Sequence, residues 1–406
     1  MKILMVCQRY WPEHFQVTEV CEELASRGHE VTALVGLPNY PTGVIPAEYL
    51  DGKNRLQVRN SVKIIRCEEV PRSRGVLGLA KNYISYVVSA CSKVKELTPD
   101  YDLVFSYQLS PVLMAVPAVS ASKKMRLPLV LYCADIWPDA VRAMLPKPLS
   151  FLMPLLRRMS ARIYRSCSAI AVNSSEYIHG FSEMFGIGED RLVYIPQYAD
   201  DEYLINDFNK NTNDKVRFAM IGNIGKLQHM QTLMQAIRKL GNRGDYEVHI
   251  VGTGSALDYC KEFIQANGLS STVFFHGRRP YEEMPDYYKM ADACLLTLHV
   301  PDAPWISATL PSRLQGYMAA GKPVIAAIDG SAKEVIEDSG CGLAVPATDS
   351  SALADVMQLF IEDKTRFEKC GYNGRVYFKK HFMKQRHMDN IEELLIKVGA
   401  KTEGSM

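Results

Sequence analysis

The sequence predicts an α/β protein built as two doubly wound sheets in tandem. Three observations carry that reading. The chain has 406 residues, more than one hydrophobic core usually organises, so two domains of roughly 200 residues are the ordinary outcome. Short continuous apolar runs, the mark of strands buried on both faces, alternate with apolar positions spaced three and four apart, the mark of helices. The alternation runs once from Lys2 and starts again at Val216, with a stretch rich in Asn and Asp between the two series.

In chain order, residues 2–7 hold the first apolar run (Ile3-Leu4-Met5-Val6), 8–16 a loop, and 17–27 a helix with Val17, Val20 and Leu24 on one face. Gly28 ends that helix, since glycine takes a left-handed C-terminal conformation without penalty. Residues 30–35 return as a strand and complete a βαβ unit. Further strands are expected at 62–66, 103–106, 129–133, 169–173 and 191–195, so that residues 1–200 form the first domain. Residues 201–215 read as a linker. The second domain, 216–375, repeats the pattern with strands at 217–221, 247–251, 273–276, 293–298, 324–328 and 343–345 and helices at 229–240, 255–267 and 284–290. Residues 376–398 read as a closing helix that returns to the first domain, and 399–406 as a disordered tail. Doubly wound sheets place ligands at the carboxyl ends of their strands, and both domains are expected to face a central crevice with that edge.

Hydrophobic content of 47% and charged content of 23% are ordinary for a folded chain. The net charge of +2 hides an asymmetry: residues 1–170 carry 22 Lys and Arg against 14 Asp and Glu, a net of +8, which leaves −6 for the rest. The first half is therefore expected to meet something anionic, and the stretch 145–165 supplies a place for it. It carries Lys147, Arg157, Arg158, Arg162 and Arg165 among Leu149, Phe151, Leu152, Leu155, Leu156 and Met159, with no acid. Interrupted by Pro148 and Pro154, it is too charged to span a bilayer and suits docking on an anionic membrane surface. The bland alternative is a domain helix whose apolar face is core. The ten cysteines form no CxxC pair or Cys/His cluster, so neither zinc nor a disulfide framework is expected. No signal peptide and no membrane-spanning run is read, and a cytoplasmic protein at the membrane face is expected.

The most informative stretch is 309–327, Thr-Leu-Pro-Ser-Arg-Leu-Gln-Gly-Tyr-Met-Ala-Ala-Gly-Lys-Pro-Val-Ile-Ala-Ala. Pro311 fixes a turn and Ser312 stands where a helix N-cap would. Leu314, Tyr317 and Met318 share a helical face, Gly321 ends the helix, and a buried strand follows. A helix N-terminus at a sheet edge binds anions through free N–H groups, and Arg313 adds a forked cation suited to phosphate. The stretch resembles the nucleotide-sugar motif of the family 4 retaining glycosyltransferases, which have two facing Rossmann-like domains (the GT-B fold). It is similar above all to the subgroup of O-antigen, capsule and exopolysaccharide synthesis, including N-acetylfucosamine transferases. "LASRGHEV" at 24–31 resembles the family's first crossover.

That resemblance implies roles for particular residues. Gly222, Asn223, Gly225, Lys226 and Gln228, in a Gly-rich turn between a strand and a helix, would face the donor diphosphate with Ser312 and Arg313. Arg278, Arg279, Leu314 and Gln315 would lie at the nucleoside. In the first domain Asp135, at a strand's carboxyl end in "ADIWPDA", would be catalytic or touch the sugar; Trp137 would be a wall for a sugar ring. Glu13, His14, Asn39 and Tyr40 would meet the acceptor. The sequence departs from the family where two glutamates usually stand: Ala308 and Gly316 occupy those positions, with Asp302 and Gln315 as substitutes. It also lacks the family's paired glycines in the first loop. The D-x-D at Asp100 and Asp102 reads as the polar entry to a strand. The resemblance implies a metal-independent, cofactor-free enzyme moving a sugar from a UDP-sugar to a polyprenyl-diphosphate-linked acceptor, with no nucleic-acid partner. Two alternatives stay open, a non-hydrolysing UDP-sugar 2-epimerase on the same fold and a catalytically silent partner subunit.

Overall fold

The computed structural model describes residues 1–73, 75–139, 151–199, 202–205, 208, 215–299, 305 and 308–403. The chain divides into two units, Met1–Ile195 with Met388–Met406, and Pro196–His387. Most of the expected linker, and Asp302, lie outside the described residues.

The first unit holds β1 (Lys2–Val6), β2 (Glu30–Val35), β3 (Leu56–Arg59), β4 (Val62–Arg66), β5 (Leu103–Gln108), β6 (Leu129–Cys133), β7 (Ala169–Val172) and β8 (Leu192–Tyr194). Its longer helices are α1 (Gln16–Ser26), α2 (Val76–Glu96), α3 (Val116–Met125), α4 (Met153–Arg165) and α5 (Glu176–Phe185). The sheet order is β3-β4-β2-β1-β5-β6-β7-β8. All pairs are parallel except β3 with β4. Strand β3 has no apolar run to announce it: as an edge strand it leaves Leu56 and Val58 exposed. It is formed by the two-residue turn Asn60–Ser61, both at positive φ (45° and 64°), whose twist matches that of a hairpin.

The second unit holds β9 (Val216–Ile221), β10 (Tyr246–Val251), β11 (Val273–Gly277), β12 (Ala293–Thr297), β13 (Val324–Ala327) and β14 (Gly342–Val345). Its longer helices are α6 (Met230–Leu240), α7 (Leu257–Ala266), α8 (Met284–Met290), α9 (Ser312–Ala319), α10 (Ser331–Ser339), α11 (Ser350–Glu362) and α12 (Glu368–His381). Six parallel strands run in the order β11-β10-β9-β12-β13-β14, with the direction of winding reversing between β9 and β12. Alternate residues of each strand enter opposite cores. Ala219, Ile221, Cys294, Leu296, Val324 and Ala326 pack with Leu314, Tyr317 and Met318 of α9. Phe218, Met220, Leu295, Ile325 and Ala327 pack with Leu233 and Ile237 of α6 and Leu353 and Met357 of α11. A strand buried on both faces reads as a continuous apolar run for this reason. The turn between α9 and β13 closes as expected: Gly321, at φ +67°, donates to Met318 O and Lys322 N donates to Tyr317 O, a Schellman motif.

The last helix, α13 (Lys384–Glu403), corrects the expected tail. It runs on through Gly399, whose Cα lies so close to Met1 that a Cβ would meet the Met1 side chain. Arg27 holds it through Asp389 and Glu392 at 2.8 and 2.6 Å, and His29 adds Glu392 at 2.9 Å. The helix thus packs on the first unit, through partners more than 360 positions away in sequence.

The basic stretch divides by face. On α4, Ser160, Ile163 and Tyr164 are buried, with the Tyr164 ring 4.8 and 5.0 Å from Phe181 and Phe185. Phe151 and Leu155 are 71% and 64% exposed, alongside exposed Arg157, Arg158 and Arg162. Residues 145–150 lie outside the described part. No described helix is long and apolar enough to cross a membrane.

Candidate functional site

Each sheet presents one polar edge at the carboxyl ends of its strands. In the second unit that edge begins where β9 ends. Gly222 sits at φ +125° and Gly252, after β10, at φ +145°, conformations that favour glycine. A Cβ on Gly252 would collide with Gly222 O, so the two turns meet backbone to backbone. The Arg313 guanidinium lies against this contact, with its atoms 3.3–3.5 Å from where a Gly222 Cβ would stand. Arg313 Nη2 donates to Asn223 O at 2.7 Å, while the buried Nη1 has no partner among the described residues. Tyr317 braces the same corner, its hydroxyl accepting from Ile221 N at 3.0 Å.

Gly222, Asn223, Gly225 and Arg313 are thus brought together. Lys226 is exposed at the start of a short 3-10 turn, Lys226–Gln228. Gln228 differs from its expected role: its Oε1 accepts from Gly225 N at 2.8 Å and closes the turn. Ser312 is the first residue of α9 and Pro311 the N-cap, so the free N–H groups of the first turn stay uncapped by a side chain. Two nucleoside expectations need correction. Leu314 is fully buried in the core, and Gln315, equally buried, donates Nε2 to Gln197 O at 2.7 Å. Both follow from the pitch of α9, which turns 314, 315, 317 and 318 inward. Arg278 and Arg279 are exposed after β11, with Arg279 Nε on His276 O at 3.0 Å. Where the family carries its second glutamate, a Cβ on Gly316 would stand 2.9 Å from the Tyr288 hydroxyl. Ala308 is 2% exposed.

In the first unit, Asp135 follows β6 and Ser110 follows β5. Ser110 Oγ accepts from Trp137 Nε1 at 3.0 Å and donates to Asp135 Oδ2 at 2.8 Å. Burial raises the Asp135 pKa, and the Ser110 hydrogen bond works against that. Trp137 is only 8% exposed, a wedge that orients Ser110, with little ring surface left for a sugar. Glu13 and Asn39 also differ from expectation. Glu13 Oε1 accepts from the backbone N–H of Asn39 and Tyr40 at 2.8 and 2.6 Å, and its burial raises its pKa. Asn39 donates to Leu37 O and to Glu69, and its Oδ1 accepts from Arg72 N. Both side chains are spent on shaping the loop. The loop presents Tyr40, 45% exposed, with Phe15 at 5.3 Å and the guanidiniums of Arg9 and Arg72 at 5.7 and 5.4 Å. His14, next to Phe15 in sequence, is exposed.

Sequence reasoning missed Arg9, Glu69, Ser110 and Asn82. Arg9 is 4% exposed and lies 3.5 Å from Glu13 and 3.6 Å from Glu69, with Asn82 of α2 accepting from its Nη2 at 3.3 Å. The available signal was position: Arg9 and Ser110 lie two or three residues beyond β1 and β5, the adjacent strands at which this sheet's winding reverses. The D-x-D lies at the opposite, amino end of β5. Asp102 accepts from Lys2 N at 2.7 Å and Asp100 pairs with Lys2 Nζ at 2.9 Å. Among the described residues no group of three His, Cys, Asp or Glu is placed to hold a metal ion.

Two doubly wound sheets in separate units, each with a built carboxyl edge, define the GT-B class of α/β proteins. The glycosyl transferase 4-like domain model matches residues 14–197 and the glycosyl transferases group 1 model matches residues 201–377. The chain belongs to the family 4 glycosyltransferases. The probable glycosyltransferase WbjE of Pseudomonas aeruginosa is 27% identical over 247 residues, 57% of this chain and 60% of WbjE. The GDP-mannose-dependent alpha-(1-6)-phosphatidylinositol monomannoside mannosyltransferase of Mycolicibacterium smegmatis is 22% identical over 60% of this chain and 66% of its own length. The chain thus spans under two thirds of both relatives. Among solved structures, HepE of Anabaena in complex with UDP superposes with a TM-score of 0.71 at 20% identity, over 98% of this chain and all of HepE.

Proposed function

We propose that this chain is a retaining glycosyltransferase. It moves a sugar, an N-acetylated hexosamine or deoxyhexosamine, from a UDP-sugar to a lipid-linked oligosaccharide in bacterial surface polysaccharide synthesis. One observation carries the donor half: Arg313 is packed against the Gly222–Asn223 turn with a buried N–H left over, at the mouth of α9. A preorganised guanidinium beside free helix N–H groups stabilises charge that develops on a departing diphosphate. Lys226 adds an exposed cation to the same turn. Asp135, oriented by Ser110 and partly withdrawn from water, is the group we assign to the reacting sugar or acceptor hydroxyl. No metal or cofactor enters this scheme.

UDP in the HepE complex supports a uridine donor, while the GDP-mannose-dependent relative keeps guanosine in play. The phosphatidylinositol monomannoside in that relative's name supports a lipid-borne acceptor. The exposed Phe151 just ahead of α4, and Leu155 with Arg157, Arg158 and Arg162 on it, support peripheral docking at an anionic membrane. The test is to incubate the protein with UDP- and GDP-sugars, with and without lipid-linked saccharides extracted from membranes, and to follow nucleotide release and product mass. Acceptor-dependent release with a mass gain of one sugar supports the transferase. Interconversion of free sugar nucleotides would identify the epimerase instead, and complete inertness the silent subunit.

A further inference from the structure

The edge that carries Arg313 also holds two histidines for which the reaction above has no use. His229 is the N-cap of α6 and His299 lies two residues beyond β12, so both stand where the winding of the second sheet reverses. Their rings meet edge to face, with centroids 5.2 Å apart and planes at 80°. The framework fixes both: His299 N donates to Leu227 O at 3.0 Å, and Thr297 Oγ1 donates to Gln228 O. His229 holds φ 42°, ψ 52°, a left-handed conformation that glycine would adopt without strain. A side chain kept at such a position, at a ligand-binding edge, calls for a use.

One tautomer of His229 fits the hydrogen bond that Thr232 makes to the backbone. Thr232 has one hydroxyl proton and gives it to Ala347 O at 3.2 Å. The 2.7 Å contact between Thr232 Oγ1 and His229 Nδ1 therefore has the imidazole donating. The neutral ring is left with a bare lone pair on Nε2, which has no partner among the described residues. Burial, and then the charge of His299, lower the His229 pKa, so the free protein holds it neutral at physiological pH. Among the described residues no other ionisable group contributes: not Lys226 of the same turn, Arg313 of α9, Asp258 or Lys261 of α7, or Asp349 ahead of α11, which caps Ala352 N.

The N-terminus of α6, Lys226 and the spare N–H of Arg313 make this edge attractive to an anion. A phosphoryl oxygen arriving there would be repelled by the Nε2 lone pair unless the ring were protonated. We propose that His229 is a contact to the donor phosphate, its Nε2 taking up one proton from solvent as a nucleoside diphosphate binds and hydrogen-bonding the terminal phosphate. This rests on the nucleotide reading of the site given above. The linkage has a definite sign. A group whose pKa rises on binding strengthens binding below its bound-state pKa, and the gain is lost as pH rises through that value, up to about tenfold in Kd per pH unit for one proton.

The experiment is calorimetry of UDP, GDP and UMP from pH 6 to 8.5, in buffers of different ionisation enthalpy so that protons are counted. For UDP or GDP, Kd should weaken several-fold across the upper half of this range, with net proton uptake. UMP, one phosphate shorter, should show no such slope. Ionisation of the nucleotide's own terminal phosphate acts in the opposite direction and cannot imitate it. His229→Asn, which tolerates the left-handed backbone, should bind with a flat pH profile, and His299→Ala should move the midpoint to higher pH. A pH-independent Kd in the wild type, or an unchanged slope in His229→Asn, overturns the histidine assignment alone. Failure of both diphosphates to bind at any pH overturns it together with the nucleotide reading.

Discussion

Arg313→Ala is the sharpest perturbation of the donor site. The wild-type guanidinium uses Nη2 on Asn223 O at 2.7 Å and keeps Nη1 buried without a partner among the described residues. On the proposed reading, one charge-assisted hydrogen bond to a phosphate is lost outright, a loss of about 1.5–3 kcal/mol. That is roughly a 10- to 150-fold rise in the Kd for UDP. The structural cost is smaller, on the order of 1 kcal/mol for the bond to Asn223 O, whose carbonyl water can reach. In a unit of this size that lowers the melting temperature by only about 2–4 °C. The two effects therefore separate. Calorimetry gives the affinity and a thermal melt gives the fold. Arg313→Lys should recover part of the binding but not all of it, because an ammonium keeps the charge and loses the planar fork. A cooperatively folded Arg313→Ala protein that binds UDP as tightly as the wild type would refute the reasoning.

Three further outcomes are expected. Changing Arg157, Arg158 and Arg162 to glutamate should abolish co-sedimentation with vesicles containing anionic lipid, each cation being worth roughly 1 kcal/mol near such a surface; equal sedimentation of variant and wild type would mark the α4 face as an ordinary domain surface. Transfer activity should survive dialysis against EDTA, and a loss restored by magnesium or manganese would contradict the metal-free scheme. His387, whose Nδ1 donates to Pro196 O at 2.7 Å, is held by burial at a pKa of about 4, below its ordinary 6.5. Its stabilisation is complete above pH 6.5 and is lost as pH falls towards 4, up to about 3 kcal/mol over that window. His387→Asn should flatten the pH dependence of chemical denaturation there, and an unchanged profile would assign the acid sensitivity elsewhere.

Much of the architecture is a local property of the chain. The runs at Ile3–Val6, Leu129–Cys133 and Val324–Ile328 are apolar at every position because strands inside a doubly wound sheet bury both faces. Helix ends such as Gly28 and Gly321 are equally local, since the left-handed conformation is a property of one residue. The same holds for placing Gly222, Asn223, Gly225 and Arg313 at one edge: a strand, a Gly-rich turn and a helix N-terminus are adjacent in sequence, and the rule that ligands sit at carboxyl ends does the rest.

What tertiary structure decided was the partner of each polar side chain. Glu13 and Asn39 look available in a loop, yet they are consumed by that loop's backbone and by Glu69, a residue brought close only by β4. Leu314 and Gln315 sit inside a motif associated with nucleotide sugars, and the helical pitch turns them into the core. The Ser110–Asp135 bond, the Arg9–Asn82 bond and the His229–His299 pair join residues from different elements and turns, separated by 25 to 73 positions. Periodicity carries which face of an element is buried, because that depends on neighbours three or four residues away. Which two polar groups meet at the end of a sheet depends on strand order and register, and those exist only once the chain has folded.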